Sequence, residues 1–113
     1  RPKITFIVED IFDRLMLVAL GFPCLAEMGI TSSAEKESIY GFFKRVYGVP
    51  DNDKVGRRVM NEDEWNLPRG SSYIFWEDSS VKDIDDMFKK YEPESIKDVL
   101  LEAVKQKERK IEI

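Results

Sequence analysis

The chemistry open to this chain is set by its acidic residues. Glu9 ends one apolar run, Asp51 and Asp53 follow another, Glu77 and Asp78 follow a third, and Asp83, Asp85 and Asp86 come shortly after. There is no histidine and a single cysteine, Cys24, so no internal disulfide can close and a tetrahedral zinc site has almost no soft ligands. Without a histidine to activate it, Cys24 reads as packing, not as a nucleophile. Any metal must be held by oxygen. Carboxylates a few Å apart repel unless a cation neutralises them or one keeps a proton. Mg²⁺ typically takes one or two carboxylates, keeps several waters and bridges to phosphate oxygens, so such a cluster points to phosphoryl chemistry or phosphate binding. Acidic residues at helix starts also serve as caps and complement the helix dipole. On spacing alone that competing explanation stands, most clearly for Asp83 ahead of Ile84, Met87 and Phe88.

What could bring these residues together is the order of elements. Ile4 to Val8 is an uninterrupted apolar and β-branched run, the pattern of a strand buried on both faces of a parallel sheet. Ile11, Leu15 and Val18, at i, i+4 and i+7, predict the buried face of a helix ending near Gly21. Pro23 to Met28 reads as a second strand. Ser32-Ser33-Ala34-Glu35 is a capping box opening a helix with Ile39, Phe43 and Val46 on its buried face. Val46 to Pro50 is the third strand, Val55 with Val59 marks a short helix, and Tyr73 to Trp76 is the fourth strand. Ile84, Met87, Phe88 and Tyr91 share a helical face, Pro93 suits a first helical turn, and Ile96, Val99, Leu100, Ala103 and Val104 form the clearest amphipathic stripe. Helical patterns between every pair of strands predict an α/β fold of about four parallel strands with helices on both faces. In such sheets ligands bind beyond the carboxyl ends of the strands, where these acids lie. The expected organisation is one domain over 1–104 and a charged tail over 105–113, open to fraying.

Composition narrows the function. The chain has 113 residues, 42% hydrophobic and 35% charged, which excludes a disordered polymer. Its longest uncharged run, Leu15 to Ala26, falls short of the about 20 apolar residues a bilayer span needs. The net charge of −4 implies weak binding to nucleic acid by the isolated chain. The basic clusters at Lys44 and Arg45, at Lys54, Arg57 and Arg58, and from Lys105 to Lys110 read first as solvated helix faces. The chain starts at Arg1 without a basic-then-apolar leader, so the expectation is an excised or processed piece in a cytoplasmic setting.

Three segments carry a resemblance. Ile7-Val8-Glu9-Asp10-Ile11-Phe12-Asp13 resembles the first signature of the Toprim domain, a hydrophobic strand ending in Glu, then usually Gly, with an Asp four residues after the Glu. Asp51-Asn52-Asp53-Lys54-Val55-Gly56-Arg57-Arg58 resembles the second, Asp-x-Asp before a small-residue helix start, in the form common among primases. Lys82-Asp83-Ile84-Asp85-Asp86 is similar to the Lys-Asp-Pro-Asp stretch of bacterial and phage primases. The match runs over about residues 4 to 100. It departs at Asp10, which stands at the usual Gly position, and at Gly48 and Pro50, which interrupt strand three.

The resemblance implies a small Toprim-like (Rossmann-like) domain and a site. Asp51 and Asp53 would hold Mg²⁺ or Mn²⁺, and Glu9 would share the metal or act as general acid/base. Asp13, Asp83 and Asp85 would be outer or second-metal ligands. Lys82 would offset charge on a nucleotide phosphate, and Lys54 and Arg57 would face template or nucleotide. The implied function is the catalytic core segment of a DNA primase or primase-helicase, making RNA primers on single-stranded DNA within a larger protein, with replication proteins as partners and no membrane. The alternatives are a stand-alone small Toprim nuclease or RNA-processing protein, and a non-catalytic Toprim interaction module. Trp76 reads as core, with base stacking as its functional alternative.

Overall fold

The computed structural model describes residues 4–27, 43 and 45–112. The capping box at Ser32 to Glu35 and its helix as far as Ile39 lie outside the described residues. The elements are β1 (Ile4–Val8), α1 (Ile11–Ala19), β2 (Cys24–Ala26), β3 (Arg45–Val49), α2 (Lys54–Glu62), β4 (Ser72–Tyr73), α3 (Ile84–Lys90) and α4 (Pro93–Glu112). The four strands form one parallel sheet in the order β2-β1-β3-β4.

The unbroken apolar run of β1 is explained by its central place. Phe6, Ile7 and Val8 have no exposed surface, and successive side chains enter opposite cores. Phe6 and Val8 pack with Leu17 of α1, Ile84 and Met87 of α3, and Ile96 and Leu100 of α4. Ile7 packs with Val59 of α2, Trp65, Leu67 and Tyr73 on the other face. Full burial of one such aliphatic side chain stabilises by about 1.5–3 kcal/mol, so the stripe on α4 is what fastens that helix to the sheet. The helix continues past Val104, where the stripe ends, and an Arg45–Glu108 pair at 3.5 Å ties this stretch to β3. Among the described residues no helix is long and apolar enough to cross a membrane.

Two elements differ from expectation. In α1 the residues expected inside, Ile11, Leu15 and Val18, are about half exposed, and Phe12 is 70% exposed. Asp13, Leu17 and Leu20 turn inward instead. This helix is apolar around most of its circumference, so the two series share one period and only packing decides between them. Leu17 fills the core beside β1, and the Arg14 guanidinium donates to the Cys24 carbonyl at 3.0 Å, which locks the rotation. The short helix marked by Val55 and Val59 is present as α2, with Val59 buried and Val55 exposed.

The second difference is the length of β4. The ladder covers Ser72 and Tyr73, and Ile74 N donates to Gly48 O at 2.9 Å before pairing stops. Pro50 has no N–H to extend the β3 side of the ladder. Gly48 itself is required by close approach, because a Cβ there would sit 2.7 Å from the Tyr73 ring.

Candidate metal centre

In the order β2-β1-β3-β4 the chain leaves β1 toward one edge and β3 toward the other, so the topological switch point lies between them. Val8 pairs with Val49 at the ends of these strands. Glu9 and Asp51 therefore emerge side by side, at the crevice where open α/β sheets bind ligands.

The acids interact there. Burial first, then the charges of Glu9, Asp83, Asp53 and Asp10, push the Asp51 carboxyl up to about 6. Asp13 on α1 is 8% exposed, and burial followed by the charges of Asp10, Asp83, Asp51 and Asp85 pushes it up to about 7. The three segments read as one signature set thus place their carboxylates within each other's electrostatic reach, Asp13 included.

Three of these residues cap helices. Asp10 accepts from Phe12 N and Asp13 N at 2.9 and 3.0 Å, Asp53 from Gly56 N at 2.9 Å, and Asp83 from Asp86 N at 2.8 Å. The capping explanation holds for them, and it works alongside the clustering: three helix N-termini bring partial positive charge to one sheet edge and offset the crowd of anions. Glu9 and Asp51 are different. Neither carboxyl accepts a hydrogen bond among the described residues.

Among the described residues, the acidic side chains whose oxygens lie within 4.8 Å of one another are Asp83, Asp85 and Asp86, a trio that could hold a metal. Each also has local work: Asp83 caps α3, Asp85 pairs with Lys89 at 3.0 Å, and Asp86 accepts from Lys82 N at 3.0 Å. Glu9, Asp51 and Asp53 are near neighbours but do not form such a tight trio. The donor set is all oxygen, mutually repulsive and partly without partners, and it fits a hard divalent ion.

Of the basic candidates, Lys54 and Lys82 are exposed, and their ammonium groups have no ion-pair partner among the described residues. Arg57 is fixed. Its guanidinium lies 4.5 Å from the centre of the Phe75 ring and donates to Asn52 Oδ1 and to Asp53 O, each at 3.3 Å. Cys24 is buried in β2 and pushed up to about 12 by that burial, which suits packing. Trp76 is buried and donates from Nε1 to Val81 O at 2.8 Å.

Sequence reasoning missed Asn52. It is 3% exposed, and its amide nitrogen lies 3.1 to 3.3 Å from the carbonyl oxygens of Trp76, Asp78 and Val81, while its backbone N–H donates to Lys82 O. It takes over where the β3–β4 ladder ends and ties the 76–82 loop to the acidic pair. The available signal was a polar residue between two aspartates directly after Pro50. Removing the amide strands buried carbonyls at a cost of roughly 1–3 kcal/mol. Asn52→Ala should therefore lower the unfolding free energy by about 2 kcal/mol in urea melts, and an unchanged midpoint would refute this role.

No protein-family model and no curated protein matches the chain. Among solved structures it is similar to the zinc-binding and RNA polymerase domains of the primase from Aquifex aeolicus, with a TM-score of 0.68 and 20% identity, over 88% of this chain and 26% of that one. It is also similar to a small TOPRIM domain protein from Bacillus stearothermophilus, with a TM-score of 0.53 and 17% identity, over 74% of this chain and 76% of that one. The chain has a Toprim-like fold, as the sequence signatures imply. It spans about a quarter of the length of the primase it matches.

Proposed function

We propose that this chain is the Toprim catalytic core segment of a DNA primase or primase-helicase, using Mg²⁺ or Mn²⁺ for nucleotidyl transfer that makes RNA primers on single-stranded DNA. One observation carries the proposal. Asp51, at the switch point and without a hydrogen-bond partner among the described residues, is driven toward protonation by burial first and then by the charges of Glu9, Asp83 and Asp53, and a divalent cation beside it would offset both. The likeness to the primase, which covers more of this chain than the likeness to the small TOPRIM protein, supports primase over its rivals.

Asp51 and Asp53 would hold the metal, with Glu9 sharing it or moving a proton at the attacking or leaving oxygen, and with Asp13, Asp83 and Asp85 as outer or second-metal ligands. A bound divalent ion polarises a phosphoryl oxygen and stabilises charge on attacking and leaving oxygens. Asp53 keeps one oxygen on the α2 N-terminus, where it accepts from Gly56 N, and its other oxygen would be the one offered to the metal. Lys82, Lys54 and Arg57 would neutralise nucleotide or template phosphates, and Asn52 holds Arg57 in place for that task. In this reading the surrounding parts of a longer protein grip the nucleic acid, as a chain of net charge −4 does so poorly.

The test is a thermal melt with increasing Mn²⁺, on the protein and on an Asp51→Ala, Asp53→Ala double variant. A ligand at 100 times its Kd stabilises the folded state by about 2.7 kcal/mol. The midpoint should climb with Mn²⁺ in the parent and stay flat in the variant, whose lost cap lowers only the starting value. A flat parent curve would favour a non-catalytic interaction module. Metal-dependent cleavage of nucleic acid without nucleotide incorporation would favour the second reading, a small Toprim nuclease, to which the size match with the small TOPRIM protein also lends support.

A further inference from the structure

A second cleft, of about 710 Å³, lies between the Phe75–Asp78 segment and α4. Its volume is that of a ligand-sized site. Phe75, Trp76, Val99 and Ala103 give it an apolar floor, Glu77 and Asp98 stand on its rim, and Arg57 occupies one end. Asp78 is already spent, since Lys90, Ser80 and Tyr91 hold it well below the usual carboxylate range.

The cleft follows the outer edge of the sheet. Among the described residues β4 pairs only with β3, and no strand lies on its other side. Ile74 N is bonded to Gly48 O and Trp76 O accepts from Asn52, both on the inner side. The alternation of an extended chain then turns the backbone N–H and C=O of Phe75 outward, and neither has a partner among the described residues. An open strand edge beside an apolar trough is what strand addition by a peptide requires.

Charge selects the occupant. Arg57 is the cation of the lining, and it contacts Phe75, Asn52 and Asp53; against it stand Glu77 and Asp98. Glu77 and Asp98 disfavour an anionic ligand along this rim, whereas long basic side chains can lay their stems on the floor and place their charges beside these two carboxylates. We propose that this cleft binds an extended, lysine- or arginine-containing segment of a partner protein, added beside residues 74–76 as a further strand.

The test uses a fluorescein-labelled peptide of four Lys-Val repeats, followed by fluorescence anisotropy with a chelator present, so that failure of the metal site does not affect the result. Binding should weaken at least tenfold, about 1.4 kcal/mol, in the Glu77→Lys, Asp98→Lys double variant. The Glu62→Lys, Glu94→Lys control, with the same change in net charge outside the cleft, should retain it. Methylating alternate peptide nitrogens should cost a similar factor by blocking strand pairing. The proposal is overturned if the parent does not bind, if the control loses as much as the cleft variant, or if methylation has no effect.

Discussion

Gly56→Ala is expected to lower the melting temperature by roughly 10 °C, the equivalent of about 3 kcal/mol in a domain of this size. Two effects oppose each other at this position. Alanine is the better helix former, worth up to about 1 kcal/mol inside a helix. A Cβ on Gly56, however, would sit 1.6 Å from the Asp51 carbonyl oxygen and 2.7 Å from its carbonyl carbon. Backbone cannot swing aside as a side-chain tip can, so α2 must separate from the β3 end or the fold must open. The steric effect is the larger. The same separation would carry Asp53, the cap of α2, away from Asp51, so any protein that remains folded should also lose its response to Mn²⁺. A melting temperature equal to or above the parent's would refute the argument.

Asp13→Asn should do the opposite in metal-free protein, and more so at higher pH. Burial and neighbouring charges raise the Asp13 carboxyl from 3.8 to about 7, so the folded state binds this proton more tightly than the unfolded state. The unfolded state then holds fewer protons between these values, and the Asp13 contribution to stability falls as pH rises through that window. At 1.36 kcal/mol per pH unit, the full loss is up to about 4 kcal/mol, reached above pH 7. Asparagine cannot ionise. Its advantage over the parent should grow by about 2–3 kcal/mol between pH 5 and pH 8 and then level off. Parallel pH dependences in urea melts of the two proteins, with a chelator present, would show that Asp13 is not confined among these carboxylates.

Both predictions concern residues whose types the sequence displays and whose neighbours it does not. Gly56 is visible as a small residue at a helix start, yet the need for it comes from the Asp51 backbone across a turn. Asp13 stands four residues after Glu9 in the first signature, while helical periodicity put Ile11, Leu15 and Val18 inside and so turned Asp13 toward solvent. The signature proved the better guide to α1. Asn52 carried no periodicity at all, because its role is to satisfy carbonyls more than twenty residues away.

For the described residues, the residue pattern was enough to place the elements and their kind. The unbroken run at Ile4 to Val8 needs burial on two faces, the stripe on α4 needs a sheet beneath it, and strands separated by helices pair in parallel. The aspartate at the start of α3 was legible as a cap, since capping is a contact over two or three residues; those at the starts of α1 and α2 turned out to cap as well. Which face of α1 is buried, where β4 stops and which carboxylates share a crevice were settled by the packing of the folded chain. Those outcomes depend on contacts between residues distant in the chain, where pattern is silent and packing, missing donors and charge repulsion rule.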